Sequence, residues 1–370
     1  MKTKLFLLLF VLSQFVFAQE MALVRKDDLY GYINKQGAWV VQPQYTKARS
    51  FSEGLAGVLM NGKWGFINAK GEWKIQPAYE DVNDFNSGLC LVAKDKKWFY
   101  INDKGEAVNM PPSEKYYDFE DGIAFVKRGK IGIINTAGES VVQPTYDAIK
   151  PFENGFARVK MNERWGIIDK TGKQVVEAVY DDIGDYHRGS AWAKMGTQLG
   201  MVVNNKFTAL DGVEKIWDFG GEDLTYASKN KKIGFIDLQG KWVIEPKFDK
   251  ARSFSGNLAP VFVGTKWGYV DRSGSFVVQP KFNDAEVFSA DGLAPVKEEQ
   301  WGFINDKGEM VIPAQYDISV ALGFLAPSKN QKGFKNGMAR VKLNKKWGFI
   351  DTKGTVLANQ WYDNAEAFSK

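Results

Sequence analysis

The chain has 370 residues, of which 49 are lysine or arginine and 44 are aspartate or glutamate, and it contains one histidine and one cysteine. Because no block of like charges occurs, the sequence favours neither a nucleic acid nor a membrane surface as a partner. The single cysteine, Cys90, excludes a disulfide within the chain, and the sequence lacks metal-ligand spacings, phosphate loops and hydrolase nucleophile motifs. We therefore expect no cofactor, no metal site and no enzymatic activity.

Residues 1–18 have the pattern of a cleavable secretory signal peptide. Lys2 and Lys4 precede an apolar stretch that closes on a Val-Phe-Ala sequence before Gln19. Such a closing sequence is typical of a cleavage site, and the stretch is too short to span a bilayer. A short hydrophobic strand is the alternative. The pattern predicts export to the periplasm or the extracellular space, without a membrane span.

One sequence motif recurs with a period of 34 residues through nearly the whole chain. It reads Trp-Gly-aromatic-Ile-Asn/Asp, then a Gly turn, an apolar run ending in Pro, a Tyr-Asp pair and finally Phe-x-x-Gly-Leu-Ala-x-Val. The residue before the first Gly marks ten copies, with one step of 33 and a last step of 46: Tyr30, Trp64, Trp98, Ile131, Trp165, Leu199, Ile233, Trp267, Trp301 and Trp347. A period of roughly 20 to 50 residues indicates a repeat architecture, in which each unit packs against its neighbours.

Each copy predicts a three-stranded antiparallel meander. In the second copy, residues 64–68 and 72–79 alternate with period two, and a further strand is expected over 88–93. Pro77 ends the regular ladder, because proline cannot donate a hydrogen bond. The helical tetratricopeptide repeat has the same period, but no 3.6-residue stripe is visible here. We therefore expect an all-β chain.

The units are best framed as a Leu-Ala-x-Val strand, a Trp-Gly strand and a Pro strand. In that frame residues 19–370 form one continuous array of ten complete units. We favour an open solenoid or superhelix over a closed, propeller-like ring. Propellers usually have about four to eight blades of four strands, and many close by completing the last blade with an N-terminal strand. Ten three-stranded units with complete ends fit that closure poorly.

Several periodic residues have structural explanations. Gly follows the marker in nine of ten copies, which predicts the close approach of another group, such as an aromatic ring. An Asn or Asp ends the marker strand in every copy, from Asn34 to Asp351, and we interpret it as an Asx-turn rather than a Ca²⁺ ladder. The Asp after the aromatic residue is interpreted in the same way. The tryptophans in periodic positions, and Cys90 in an alanine position, are predicted to be core residues.

The repeated signatures resemble those of the WG-repeat family. They read Lys-Trp-Gly-Phe-Ile-Asp at 346–351, Lys-Trp-Gly-Tyr-Val-Asp at 266–271 and Gly-Leu-Ala-Pro-Val at 292–296. The resemblance covers the chain from about residue 21 to its end. It implies a β-rich array without an assigned biochemical activity or a catalytic motif. Where roles are suggested for this family, they concern interactions.

The strongest departure from the period lies at residues 186–223, around the sixth copy. Here His187, the only histidine, precedes Trp192, which fills the variable position of Leu-Ala-x-Val. Mixed residue types in that position predict that it faces solvent. Trp217 and Phe219 replace the usual connection nearby. We predict a recognition patch formed by these four residues, with simple sequence drift of the sixth copy as the alternative.

The second departure is an insertion of twelve residues within 319–333, which includes Phe324. Insertions in repeat proteins map to loops on one face, often the binding face, so Phe324 is a further candidate binding residue. A loop without a role is the alternative. The leading functional hypothesis is an exported scaffold that holds a protein partner. The alternatives are a carbohydrate-binding envelope protein, with Trp192 and Trp217 stacking on sugars, and a purely structural repeat protein.

Overall fold

A computed structural model describes residues 20–318 and 332–370. Its regular structure consists of ten antiparallel sheets of three or four strands, with one short 3-10 helix at Leu357–Asn359. The prediction of an all-β chain built from ten repeats is confirmed. Neither described stretch contains a helix with the length and apolarity that crossing a membrane would require.

We call the sheets blades and number them 1 to 10 in chain order. Nine of them are built on a meander of three strands, and in blade 10 isolated bridges at Val356 and Tyr362 take the place of the third strand. The first strands carry the Leu-Ala-x-Val sequence: β1 (Met21–Lys26), β4 (Leu55–Met60), β8 (Leu89–Lys94), β11 (Ile123–Arg128), β15 (Phe156–Met161), β19 (Ser190–Met195), β23 (Leu224–Lys229), β27 (Ala259–Val263), β31 (Ala294–Lys297) and β35 (Met338–Leu343). The second strands carry the Trp-Gly sequence: β2 (Leu29–Asn34), β5 (Lys63–Asn68), β9 (Lys97–Asn102), β12 (Lys130–Asn135), β16 (Arg164–Asp169), β20 (Gln198–Val203), β24 (Lys232–Asp237), β28 (Lys266–Val270), β32 (Trp301–Ile304) and β36 (Lys346–Asp351). The third strands follow in nine blades: β3 (Trp39–Tyr45), β6 (Trp73–Tyr79), β10 (Ala107–Val108), β13 (Ser140–Tyr146), β17 (Gln174–Tyr180), β21 (Lys206–Ala209), β25 (Trp242–Phe248), β29 (Phe276–Phe282) and β33 (Met310–Tyr316).

A short additional strand pairs with the first strand in eight blades, which makes most of the sheets four-stranded. These strands are β7 (Asp81–Val82), β14 (Ala148–Ile149), β18 (Asp182–Ile183), β22 (Val213–Ile216), β26 (Lys250–Ala251), β30 (Asp284–Ala285), β34 (Phe334–Lys335) and β37 (Asn364–Ala365). They lie in the segment that the sequence assigned to a polar connection. Most have only two residues, which is too short for an alternating pattern to be visible.

The two ends of the chain meet, so the array is a closed ring and the preference for an open solenoid is wrong. Strand β37 pairs antiparallel with β1, with Val24 opposite Ala365. The backbone groups of Met21 and Ser369 exchange hydrogen bonds of 2.8 and 2.9 Å. Blade 1 lacks its own short strand, and the C-terminal segment supplies it. The described residues therefore form a ten-bladed propeller closed by the end of the chain.

The turn glycines explain how neighbouring blades pack. A Cβ atom at Gly71 would lie 2.9 Å from a methyl group of Val41 in the third strand of the preceding blade. At Gly37 the same Cβ would lie 2.5 Å from the Ala358 Cβ, so the contact is also made between blade 10 and blade 1. Glycine tolerates the positive φ of this turn and leaves room for the neighbouring side chain.

The glycine of the Trp-Gly sequence lies beneath a bulge in the third strand. A Cβ at Gly268 would lie 2.5 Å from the Val278 carbonyl oxygen and 2.8 Å from the Pro280 nitrogen. Close approach was therefore predicted correctly, but in most blades the approaching group is backbone and not an aromatic ring. Blade 3 has Phe99 instead, and its third strand is a regular two-residue strand without the bulge. The side chain of Phe99 leaves no room for the bulged backbone.

The Asn or Asp that ends the second strand and the Asp that follows the aromatic residue of the third strand have different roles. Asn34 Oδ1 accepts hydrogen bonds from the Gln36 and Ala38 amides at 3.0 Å, as an Asx-turn requires. The Asp after the aromatic residue does not cap its own turn, which corrects the prediction. Asp147 pairs with Lys130 at 2.9 Å in its own blade and accepts from the Asn162 amide of the next blade at 2.9 Å. This position joins neighbouring blades.

The predicted core residues are only partly buried. Cys90 is 1% exposed, and Trp267, Trp301 and Trp347 are buried. The remaining periodic tryptophans are half-buried: Trp39, Trp64, Trp73, Trp98, Trp165 and Trp242. Each apolar cluster combines residues of neighbouring blades, as a repeat architecture requires.

Candidate functional site

Four of the five residues that the sequence singled out lie together where blades 6 and 7 meet. The rings of His187 and Phe219 stack with their centroids 5.5 Å apart and an interplanar angle of 16°. Trp192 packs against the same apolar cluster as Phe219. We call this region the aromatic junction and define it as His187, Trp192, Trp217, Asp218, Phe219 and Tyr226. Phe324 and residues 1–18 lie outside the described residues.

Asp218 of blade 7 forms hydrogen bonds with blade 6. Its Oδ1 atom accepts a hydrogen bond from Trp192 Nε1 at 2.7 Å and one from the Asp185 amide at 2.8 Å. A Cβ atom on Gly184 would collide with both the Trp192 indole nitrogen and the Asp218 carboxylate. Glycine at 184 therefore allows the indole to reach across to blade 7. The half-buried Asp218 side chain thus accepts from one indole N–H and one backbone N–H, which fixes the loop of blade 7 against blade 6.

Trp217 forms the second half of the junction. Its ring stacks on Tyr226 with a centroid distance of 4.7 Å and an angle of 26°, and the Lys215 ammonium lies 4.4 Å from the Trp217 ring centroid. The Trp217 amide donates to the Tyr226 carbonyl at 3.1 Å, while the buried Thr225 hydroxyl donates to the Trp217 carbonyl at 2.8 Å. These contacts hold the indole at the surface in one orientation. A cation over an aromatic face is an attractive arrangement of about 0.5–1 kcal/mol at an exposed site.

His187 is held in an apolar environment. Its side chain is buried, and its Nε2 atom has no hydrogen-bond partner among the described residues. Burial, followed by the nearby charge of Arg188, lowers the pKa of His187, while a backbone hydrogen bond at Glu222 acts in the opposite direction. The neutral imidazole is therefore favoured at this position. It serves as a packing partner for Phe219.

The expectation that the variable position of Leu-Ala-x-Val faces solvent is wrong. Trp192 is half-buried, and the equivalent Leu23 and Leu91 are 1% and 6% exposed. Sequence reasoning also missed Gly184, Asp218 and Tyr226. Tyr226 occupies the same repeat position as Trp192, one blade later, and this periodicity is the signal that could have found it.

The side chains of the junction are mainly aromatic. Within residues 20–318 and 332–370 no group of three His, Cys, Asp or Glu side chains is placed to hold a metal ion. The only thiol, Cys90, is buried, and this burial raises its pKa far above the usual value. The junction instead has half-buried aromatic rings beside an exposed lysine, and aromatic side chains provide large contact areas.

The described end of the insertion is attached to the ring. The Lys332 ammonium pairs with Glu286 at 2.7 Å and lies 5.4 Å from the Trp301 ring centroid. This anchoring lies in blades 9 and 10, away from the aromatic junction in the chain order of the ring.

Two solved structures are similar to this chain, and one of them has a TM-score above 0.5. A crystal structure of the eukaryotic initiation factor is similar over 95% of this chain and 98% of that chain, with a TM-score of 0.51 and 9% identity. The dihydro-heme d1 dehydrogenase NirN in complex with DHE is similar over 80% of this chain and 72% of that chain, with a TM-score of 0.34 and 12% identity. At such low identity the first likeness concerns the fold alone. No curated protein matches the chain in sequence.

The family comparison agrees with the repeat frame. The family model described as WG containing repeat matches residues 30–64, 64–98, 131–165, 165–196, 233–267, 267–300, 301–318, 332–347 and 347–370. The matches leave out 99–130 and 197–232, where blades 3 and 6 have third strands without the bulge. The matched segments cover well over half of the sequence. The chain belongs to the WG containing repeat family.

Proposed function

We propose that this protein is an exported, non-enzymatic scaffold that holds a protein partner at the aromatic junction. The observation that carries the proposal is the replacement of regular blade packing by Trp192, Trp217 and Tyr226, which are half-buried and held by specific contacts. Tryptophan and tyrosine are enriched at the energetic centres of protein interfaces, because they combine a large apolar surface with a polar atom. Asp218 and Lys215 supply polar groups at the edge of this surface.

A non-enzymatic role is supported by the roles of the repeated residues. The recurring Asn and Asp side chains form turns or join blades, and the recurring glycines accommodate neighbouring atoms. His187 is buried, and its ring stacks on Phe219 as a packing contact. Export is supported by the pattern of residues 1–18 in the sequence.

Affinity capture from an envelope extract would test this function. The bait is the chain from residue 19 onwards, compared with a Lys215→Gln/Trp217→Ala variant that leaves the Trp192–Asp218 hydrogen bond intact. Trp73→Ala is the matched control, because it also removes a half-buried tryptophan but in blade 2. We expect one protein to be retained by the wild type and the control and lost from the variant. Retention by all three would contradict the proposed site, and capture of nothing would favour a purely structural role.

The second candidate function is carbohydrate binding, and two surface pockets favour it. They have volumes of about 290 and 350 Å³ and lie at equivalent places in blades 1 and 2. Each is bordered by a tryptophan, a glutamine and a proline, namely Trp39, Gln42 and Pro43, and Trp73, Gln76 and Pro77. Indole surfaces beside amide groups suit sugar rings. By contrast, Trp217 already contacts Tyr226 and Lys215, which reduces its free surface. Oligosaccharide binding lost in Trp39→Ala/Trp73→Ala would support this alternative.

A further inference from the structure

Short turns join the first and second strands of the blades, and the turn of blade 2 has the sequence Asn-Gly. Its residues, Asn61 and Gly62, have φ angles of 52° and 78°. Asn-Gly suits such a turn, since both residues need a positive φ. It is also the sequence in which asparagine is chemically least stable, because glycine has no side chain to shield its backbone nitrogen. Asparagine begins the same turn in three other blades, where a charged residue follows it: Asn162–Glu163, Asn230–Lys231 and Asn344–Lys345.

The chain contains two further Asn-Gly pairs, Asn154–Gly155 and Asn336–Gly337. All residues of the three pairs have a positive φ, as in a type I′ turn. For the pair to react, the glycine nitrogen must approach the side-chain carbonyl carbon of the asparagine. Rotation of the peptide group between the two residues allows this approach. The rotation converts a type I′ turn to type II′, so the flanking strands stay paired.

Hydrogen bonds oppose this rotation at Asn336–Gly337. The Gly337 amide donates to Asp291 Oδ1 at 2.9 Å. The Asn336 carbonyl accepts from the Lys35 ammonium at 3.4 Å, and Asn336 Nδ2 donates to Glu20 Oε1 at 3.2 Å. Rotation turns the N–H and the carbonyl of the peptide group away from Asp291 and Lys35, so both hydrogen bonds must break. The structure therefore protects this asparagine.

The turn of blade 2 lacks such protection. Within residues 20–318 and 332–370, neither Asn61 nor Gly62 has a hydrogen-bond partner outside regular strand pairing, and both are exposed. A Cβ atom on Gly62 would meet no described atom within 4 Å, so the peptide group can rotate freely. Asn154 and Gly155 also have no such partner, but Gly155 is half-buried. Asn61–Gly62 is thus the most accessible of the three pairs.

We propose that Asn61 is a site of spontaneous deamidation in the folded protein. The Gly62 nitrogen attacks Asn61 Cγ, so that a carbon–nitrogen bond forms, and the side-chain amide leaves as ammonia with the proton of the Gly62 N–H. Water then opens the resulting five-membered imide. Opening at Cγ gives aspartate, and opening at the main-chain carbonyl gives isoaspartate. The reaction consumes one water and releases one ammonia. It goes beyond the proposed function, since it needs no partner.

The modification changes the surface pocket of blade 2. Asn61 borders this pocket together with Lys63 and Trp73. In the equivalent pocket of blade 1, Asp27 occupies the same position of the turn. Deamidation therefore gives blade 2 the acidic group that blade 1 has by sequence. The isoaspartate product also lengthens the main chain of the turn by one carbon atom, which disturbs the pairing of Met60 with Lys63.

Mass spectrometry of tryptic peptides would test the inference. The folded chain from residue 19 onwards is incubated at neutral pH in heavy-oxygen water, which labels every side chain that deamidates during the incubation. Trypsin separates Asn61, Asn336 and Asn162 into the peptides 50–63, 336–340 and 161–164. We expect Asn61 to deamidate at least about tenfold faster than Asn336, because the Gly337 amide must first lose a hydrogen bond to a carboxylate. Asn162, which no glycine follows, should stay unlabelled.

Two substitutions separate the effect of the glycine from that of the hydrogen bond. Gly62→Lys copies the Asn-Lys turn of blade 7, where Lys231 has a φ of 59°, and it should slow deamidation of Asn61 at least about tenfold. Asp291→Ala removes the acceptor of the Gly337 amide. It should speed deamidation of Asn336 about fivefold and leave Asn61 unchanged.

The chain unfolded in urea provides the reference, since Asn61 and Asn336 are both followed by glycine and should there react at similar rates. An Asn61 that stays unlabelled in the folded protein while it reacts in urea would overturn the proposal. Equal rates at Asn61 and Asn336 in the folded protein would also overturn it. A difference between them that persists in urea would assign the effect to the local sequence and refute the structural explanation.

Discussion

Deleting residues 363–370 is expected to open the ring and to lower its free energy of unfolding by about 5 kcal/mol. The deletion removes the pairing of β37 with β1 and at least four backbone hydrogen bonds, which join Met21 to Ser369 in both directions, Asp363 to Arg25, and Glu366 to Leu23. At about 1 kcal/mol each, these contribute about 4 kcal/mol. Loss of the half-buried Phe368, which lies 4.8 Å from Phe349 between ring centroids, adds about 1–2 kcal/mol.

Urea unfolding and small-angle X-ray scattering would measure the two consequences. We expect a lower unfolding midpoint and a larger radius of gyration for the truncated chain, because the seam between blades 1 and 10 has lost its shared strand. Phe368→Ala is the control: it keeps the backbone pairing, so it should lose only about 1–2 kcal/mol and leave the scattering profile unchanged. A truncated chain with the wild-type midpoint and scattering profile would refute closure by β37.

Three further predictions concern single residues. Gly268→Ala should cost about 3 kcal/mol, because its Cβ would lie 2.5 Å from the Val278 carbonyl oxygen. Gly292→Ala should cost about 1 kcal/mol, since its Cβ would meet no described atom within 4 Å and only the positive φ is strained; equal losses in urea unfolding would contradict the bulge explanation. Burial lowers the pKa of His187, so the unfolded chain takes up its proton first, and stability should fall from about pH 7 to about pH 5. His187→Phe should lack this part of the loss, and identical pH dependence of the two unfolding midpoints would show the reasoning to be wrong. Burial raises the pKa of Cys90, so alkylating reagents should label it only after unfolding, and rapid labelling of the folded chain would be inconsistent with the structure.

Much of the candidate site was visible in the sequence because it breaks the period. His187, Trp192, Trp217 and Phe219 were identified as departures from their repeat positions, and the structure brings all four together. The residues that contact these four side chains could not be identified from the sequence. Asp218 looks like an ordinary loop aspartate, and Gly184 resembles any other loop glycine. Their roles depend on a hydrogen bond and a close contact between two blades, which neighbouring residues in the sequence do not reveal.

Local patterns in the sequence alone determined the all-β class, the ten repeats and the Asx-turns. Alternation and the turn glycines lie within one unit, so the strands of each copy can be predicted from that copy alone, and the 34-residue period gives the number of copies. Only the tertiary structure decided that the array closes. Val24 and Ala365 pair across nearly the full length of the chain, and the closing strand β37 has two residues. A strand that short has no pattern of its own. Its pairing is set by the accumulated rotation from blade to blade, which brings the last unit back to the first.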